Sequence, residues 1–445
     1  MTQSMIETRP GLMRIREAAK RKPELQFNNL FHHLDVELLG EAYRHLKRNA
    51  APGVDGVDWS GYGEELEKNL EELVQRLHTQ RYRTQAVLRQ WIPKANGQKR
   101  PIGITTVEDK VVQQAVVWLL EAIYEREFLG SSYGFRPGRS QHDALDAVYM
   151  AVTTRKVSWV LDADIKGFFD AIEQDWLMRM LKEKIADKRL LRLIERMLKS
   201  GVQEEGQWYK TEVGTPQGAV ISPMLGNIYL HYVLDLWAHQ WRKQEARGEV
   251  YIVRYADDSV LGFQYRSDGE CFLEAFKDRL AKFGLSLNEE KTRLIEFGRF
   301  ADGNRRGRGA GRPEVFEFLG FTHLCSKRRS DGGYKLLRQI NSKRQRSKLR
   351  QIKETLMRTR HRHPYKVGVW LKRVVQGYYN YFAVPDNHKS LSAFRREVCR
   401  AWMKALRRRS QKGKGMSWEK AKKLIKRFIP SSRVLHPYPS ERFGV

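Results

Sequence analysis

The chain has 445 residues, with 82 Lys and Arg against 52 Asp and Glu for a formal net charge of +30, and 41% of its residues are hydrophobic. At roughly 150 residues per domain this length suggests two or three domains, and the apolar content excludes wholesale disorder. No uncharged apolar run reaches the roughly 18 residues that span a bilayer, the N-terminus has no secretory apolar core, and Cys271, Cys325 and Cys399 are too dispersed for a metal clip or disulfide framework, so a non-membrane, cytoplasmic protein is expected.

In chain order, residues 1–48 read as helical and basic, with a break at Lys22-Pro23, before the Gly/Pro/Asp turn cluster Ala51–Trp59. Residues 87–104 pattern as two strands about Asn96-Gly97, a strong hairpin signal. Val107–Phe128 is helical; the loop SSYGFRPGRS and a helix from about Gln141 follow. Trp159–Asp164 (WVLDAD) reads as a buried strand, and Asp170 with Glu173 as a capping box opening the next helix. A loop at Gly214–Gly218 precedes a long helix over Pro223–Arg242. Tyr251–Phe263 is apolar on both sides of a polar centre, Tyr255–Asp258, and reads as a hairpin. A helix near Gly269–Phe283, a strand near Thr292–Phe297, a Gly/Arg-rich linker over Arg299–Arg312 and a short strand at Glu317–Phe321 complete this part. Beyond Ser342 three apolar stripes at helical spacing predict three helices: Leu349, Ile352 and Leu356; Val367, Leu371, Val374 and Tyr378; Leu391, Phe394, Val398 and Trp402.

The excess charge is local. Between Asn341 and Pro430, 27 Lys and Arg face four acidic residues, a net of +23, which leaves +7 for the other 355 residues. A field of that size draws a polyanion, and nucleic acid bound through its phosphates is the partner it implies. Arg395, Arg396 and Arg400 fall largely off the third apolar stripe, which gives a helical bundle with a basic exterior.

Three carboxylates stand in two strand contexts, Asp164 in LDADIKGFFD and Asp257 and Asp258 in YADD. Acids beside buried strands are costly unless paired or metal-bound. Nucleotidyl transfer needs two divalent ions about 3.5–4 Å apart to stabilise the attacking and leaving oxygens, and acids from two strands meeting at a hairpin would supply that arrangement. Strand alternation puts Asp162 on the same side as Asp164, so periodicity does not choose between them, and it sends Asp257 and Asp258 to opposite faces unless a turn reorients them.

Nine blocks stand in one order: NAAPGVDGVDW, IPKANGQKRPIGI, DKVVQQAV, SSYGFRPGRSQHDAL, DADIKGFFD, GTPQGAVISPMLGNIYLH, YADD, LNEEKTRLIEFG and FEFLGF. Through them the chain resembles the group II intron-encoded reverse transcriptases/maturases. The resemblance implies an α+β right-hand polymerase, with fingers, a palm of antiparallel sheet and a helical thumb. Its domains would be fingers and palm with an N-terminal extension over 1–310, a thumb or maturase (X) domain over 311–410, and a basic tail over 411–445. The implied activity is RNA-directed DNA polymerisation from dNTPs with two Mg²⁺ ions (Mn²⁺ as substitute), on an RNA template with a DNA primer. Intron RNA binding and splicing assistance are implied as well, and no membrane or protein partner. By family analogy the chain would act in the bacterial cytosol or an organelle matrix.

The resemblance also implies residue roles. Asp164 and Asp257 become metal ligands, with the Ile165 carbonyl completing the site and Asp258 the less direct acid; Asp162 is left a structural role. Phe169 matches the bulky gate against a ribose 2′-OH, with Phe168 the core member of the pair. Gln217 and Gly218 match the loop against the incoming nucleotide, Lys94 and Arg100 the triphosphate clamp, and Lys291 a general acid to pyrophosphate. Arg136 and Arg139 would contact the template backbone, and Arg395, Arg396 and Arg400 the RNA. No zinc-supported HNH endonuclease is expected, since His361, His363 and His388 form no such pattern. A splicing factor with a scaffold-only polymerase core, and a retron, diversity-generating or defence-type reverse transcriptase, are the alternatives.

Overall fold

A computed structural model describes residues 9–93, 99–210, 213–215 and 218–443. The chain divides into two compact units: Met1–Ala144, Ala163–Leu261 and Ser267–Arg293 form the first, and Leu145–Asp162, Gly262–Arg266 and Leu294–Val445 the second. It adopts the expected α+β class, with helices alongside three sheets.

The described strands are β1 (Val87–Pro93), β2 (Lys99–Ile104), β3 (Trp159–Asp164), β4 (Val202–Glu204), β5 (Gln207–Tyr209), β6 (Val250–Tyr255), β7 (Asp258–Phe263), β8 (Arg293–Glu296), β9 (Phe316–Phe318), β10 (Phe321–Lys327) and β11 (Tyr334–Ile340). They form sheets in the orders β2–β1–β4–β5, β6–β7–β3–β8 and β11–β10–β9. The expected strand pair at 87–104 is present, antiparallel from Leu88↔Ile104 to Pro93↔Lys99.

In the first unit the helix Val107–Tyr124 is the central pillar, buried along almost its whole length. Its start is fixed by a reciprocal cap: Asp109 N donates to Thr106 Oγ1, and the Thr106 hydroxyl donates back to Asp109 Oδ2 at 2.8 Å. The helices Pro10–Arg21 and Val36–His45 pack on it. Both present apolar faces, Leu12, Ile15 and Ala19 from the first and Leu38, Leu39 and Ala42 from the second. Arg9 Nη2 donates to both carboxylate oxygens of Asp35, the N-cap of the second, and so ties the two helices together.

Two local expectations change here. Asp170 lies inside a one-turn helix, Phe168–Ala171, and Glu173 caps the helix Gln174–Lys182 with no side-chain hydrogen bond, so no capping box forms. The helix expected over Pro223–Arg242 is Ser222–Leu230 and Leu236–Gln244, joined through a π-helical segment, His231–Asp235.

The second unit holds the three basic helices, Ser342–Arg358, Pro364–Phe382 and His388–Arg407. Their buried stripes are those read from the sequence, except that Leu349 is only half-buried and Val375 takes the place of Val374. The Tyr378 and Phe394 rings stack at 3.8 Å. A fourth helix, Trp418–Phe428, buries Ala421, Ile425 and Phe428. Gly368 makes room for it, since a Cβ there would sit 2.5 Å from the Phe428 ring. The expected linker carries a short helix, Ala301–Gly307, and the expected single strand is two, turning at Leu319-Gly320, both of positive φ.

His323 on β10 is fully buried, stacked on Phe316 at 4.6 Å. Burial pushes its pKa down to about 3, with Arg338 across the ladder adding to the effect. The unfolded imidazole takes a proton near 6.5 and the folded one does not. Stability from this residue is therefore complete above about 6.5 and drains as pH falls toward 3, a loss of about 2 kcal/mol at pH 5. Unfolding free energies from urea melts at pH 7.5 and 5 should differ by that amount more in the parent protein than in His323→Leu; equal pH slopes would show that the ring titrates freely.

Candidate active site

Asp164 ends β3 and Asp257 sits in the turn between β6 and β7. The backbone after Asp164 is locked in place: its carbonyl accepts from Asn288 N at 2.8 Å, Ile165 bridges Leu287, and Lys166 N donates to Ser286 O at 2.9 Å. The turn that begins at Asn288 carries Lys291, whose N–H donates back to the Asn288 carbonyl and whose Nζ reaches Asp164 Oδ2 at 2.8 Å.

Backbone strain marks the turn that carries the other acids. Ala256 has φ +57, a left-handed conformation that L residues rarely hold, directly before Asp257. The neighbouring Gly134 lies so close that a Cβ on it would be 2.3 Å from Ala256 N. Ser259, the first buried residue of β7, donates to the Ala163 carbonyl at 3.4 Å, which joins the hairpin to β3 one residue before Asp164.

Electrostatics puts these groups in one locality. Burial pushes the Asp257 carboxyl up; its backbone hydrogen bond opposes this, the charge of Asp164 adds to it, and Arg100 and Lys291 pull the other way. Lys291 is pushed up first by its hydrogen bond to Asp164 and then by the charges of Asp164, Asp258 and Asp257. A carboxylate beside another's negative charge is the donor chemistry of a hard divalent cation. Among the described residues no three His, Cys, Asp or Glu side chains form a closed metal cage. Mg²⁺ takes one or two carboxylates and fills its octahedron with water and phosphate oxygens, and carboxylates such as those of Asp164 and Asp257 are donors of that kind.

Near the acids in sequence, Phe168 is buried and Phe169 half-buried. Thr215 N donates to the Phe169 carbonyl and Gly214 N to the Ile172 carbonyl, both at 2.8 Å, which holds these two residues to the Phe168–Ala171 turn. A Cβ on Gly226 would meet both phenylalanine rings at 3.1 Å. Gly218 has φ +108 and packs on β2, where a Cβ would be 2.5 Å from the Gly103 carbonyl. Arg100, on β2, is exposed and acts on Asp257 through its charge. Lys94 and Gln217 lie outside the described residues.

The expectation for Arg136 is corrected. Its side chain is buried, and its nitrogens are engaged by Glu125 and by the carbonyls of Leu129, Ser132 and Phe128, so it braces the loop and has no donor for a phosphate. Arg139 is half-buried over the Tyr133 ring, with Nη1 on Gly130 O at 2.8 Å. In the second unit, Arg395 donates to the Pro430 carbonyl at 2.9 Å, Arg400 pairs with Glu397 at 2.8 Å and Arg396 is exposed. Sequence reading passed over Arg254, which is fully buried. Its signal was present: a lone cation inside the apolar run VYIVRY.

Residues 92–323 match the family described as reverse transcriptase (RNA-dependent DNA polymerase). The chain is 37% identical over 241 residues to the group II intron-encoded protein LtrA of Lactococcus lactis subsp. cremoris, covering 52% of this chain and 39% of that protein. It is 32% identical over 311 residues to protein YkfC of Escherichia coli, covering 62% and 81%. Over 92 residues it is 30% identical to nuclear intron maturase 1, mitochondrial, of Arabidopsis thaliana, covering 21% and 13%. The chain thus spans about two fifths of the length of the LtrA protein it matches.

Proposed function

Because the chain belongs to the reverse transcriptase (RNA-dependent DNA polymerase) family, in its group II intron-encoded branch, we propose that it extends a DNA primer on an RNA template from dNTPs. The observation that carries this reading is the ion pair of Asp164 with Lys291 at 2.8 Å, at the end of β3, with the charge of Asp164 felt by Asp257 in the β6–β7 turn. Asp164, Asp257 and the Ile165 carbonyl would hold divalent ions, Mg²⁺ with Mn²⁺ as substitute, whose chemistry is to stabilise the attacking and leaving oxygens. Arg100, joined by Lys94, binds the triphosphate, where a cation suits developing pyrophosphate charge. Lys291 Nζ carries the proton that pyrophosphate takes on leaving. Gln217 and Gly218 present backbone to the incoming nucleotide, and the Phe169 ring stands where a ribose 2′-OH would be.

The basic helices after residue 341 bind the RNA, through Arg396 and Arg400 on their exterior, with Arg139 on the template. We assign fingers and palm to about 1–310, thumb to 311–410 and a basic tail to 411–445. LtrA and the plant protein are named as intron proteins; by that kinship the RNA is the chain's own intron, whose splicing it assists in a cytosol or organelle matrix. Among the described residues no helix is long and apolar enough to cross a membrane.

Primer extension on an RNA template with dNTPs and Mg²⁺ tests the proposal, and no cDNA with any divalent ion overturns it. Phe169→Val should raise the rNTP-to-dNTP ratio of kcat/KM by about 10- to 100-fold. An unchanged ratio would remove Phe169 from the gate.

A further inference from the structure

Beneath the Asp257 turn lies a polar network that none of the chemistry above uses. Arg254 is completely buried, and every donor of its guanidinium is taken. Nε donates to Asp235 Oδ1 at 2.7 Å and Nη2 to Asp235 Oδ2 at 2.5 Å, a fork onto an equally buried carboxylate. Nη2 also donates to Ser132 Oγ at 2.8 Å, and Nη1 to Asn227 Oδ1 at 3.1 Å and to the Ala256 carbonyl at 2.8 Å. That last acceptor belongs to the left-handed residue directly before Asp257.

The surrounding backbone converges on the same point. Arg254 N donates to Ser131 O, and Tyr133 N donates to Arg254 O, both at 2.8 Å. Asn227 Nδ2 donates to the Gly134 carbonyl at 2.7 Å, beside the contact between Gly134 and Ala256. The π-helical segment explains how one helix offers both Asn227 and Asp235. On an ideal helix, residues eight apart are rotated by about 80°, whereas the extra residue taken up by a π turn brings them to within about 20°. The segment His231–Asp235 lies between them and ends on Asp235 itself.

The geometry points to Arg254, held by Asp235 and Asn227, as the positioning residue of the catalytic turn: it pins the Ala256 carbonyl so that a strained residue aims Asp257 at the divalent ion. A left-handed alanine persists only where its surroundings over-determine it, and the guanidinium is the group that bonds its carbonyl. This inference rests on the polymerase reading.

The test separates positioning from fold by replacing the buried ion pair with apolar side chains, which preserves or raises stability in comparable cases. Arg254→Met/Asp235→Leu should melt within a few degrees of the parent protein. It should nevertheless bind Mn²⁺ at least tenfold more weakly, read as free Mn²⁺ by electron paramagnetic resonance on the protein alone, and need correspondingly more Mg²⁺ for half-maximal extension. Parent-like Mn²⁺ affinity and Mg²⁺ dependence in the folded double variant would overturn the proposal. Arg254→Lys keeps the charge opposite Asp235 and loses the fork; it is read by the same titration, with the same two outcomes, should the apolar pair not fold. Failure of both variants to fold would make the network a fold element only and would also overturn it. If the parent chain makes no cDNA, the polymerase reading fails while the Mn²⁺ titration still decides this one.

Discussion

Asp257→Ala is expected to cut primer extension by about 10³-fold or more, the several kcal/mol that a metal ligand contributes to transition-state charge. RNA affinity at matched salt should stay within about threefold, because the phosphate-binding cations are untouched. The fold should not suffer. In the folded chain, burial and the charge of Asp164 push the Asp257 carboxyl above its ordinary range. An acid whose folded pKa is raised gives up its proton more readily unfolded, so it costs the metal-free fold stability as pH rises through the carboxylate range. Alanine removes that cost, and the melting temperature in EDTA at pH 7 should hold or rise. Extension assays, filter binding and thermal melts on one preparation check the three parts. Loss of RNA binding along with extension would make Asp257 a structural residue and remove it from the metal site.

Much of this site is legible in the sequence because its information is local. The WVLDAD run marks a buried strand ending in an acid, and a polar centre between two apolar runs marks the hairpin that carries Asp257. What no pattern of residue types announces is the left-handed φ of Ala256, directly before Asp257. Arg136 misleads for a related reason. Its exposed-looking FRPGRS setting does not reveal that Glu125 and three carbonyls converge on its guanidinium. Arg254 and Asp235 are 19 residues apart, and their pairing depends on a π turn that has no composition signal. The hairpin of β10 and β11 was also missed, since Lys327, Arg328 and Arg329 hide its apolar alternation. The Asp331–Gly333 turn, with Asp331 Oδ1 accepting from Gly333 N at 3.0 Å, was its readable signal.

In the second unit, Asp146→Ala should cost about 3–5 kcal/mol, the penalty for leaving one member of a buried ion pair uncompensated. Asp146 accepts from Arg338 Nη1 at 2.5 Å, and these side chains are 5% and 3% exposed. Its other oxygen takes Arg442, which is 27% exposed, at 3.0 Å. Arg338 also lies over the Tyr149 ring at 5.3 Å, and its carbonyl accepts from Asn387, which in turn accepts from Ile340 N. Removing Asp146 therefore strands a guanidinium that β11 cannot turn toward water. Arg442→Ala removes only the more exposed partner and should cost about 1 kcal/mol or less. Arg338→Met/Asp146→Leu should recover most of the loss, since the charges then leave together. With two compact units a single unfolding midpoint can mix two events, so hydrogen exchange of the Tyr334–Ile340 amides is the direct readout. Protection there should fall by about 10²-fold or more in Asp146→Ala and little in Arg442→Ala. Equal losses in the two variants would mean that burial of the Asp146–Arg338 pair does not set the strength of this junction.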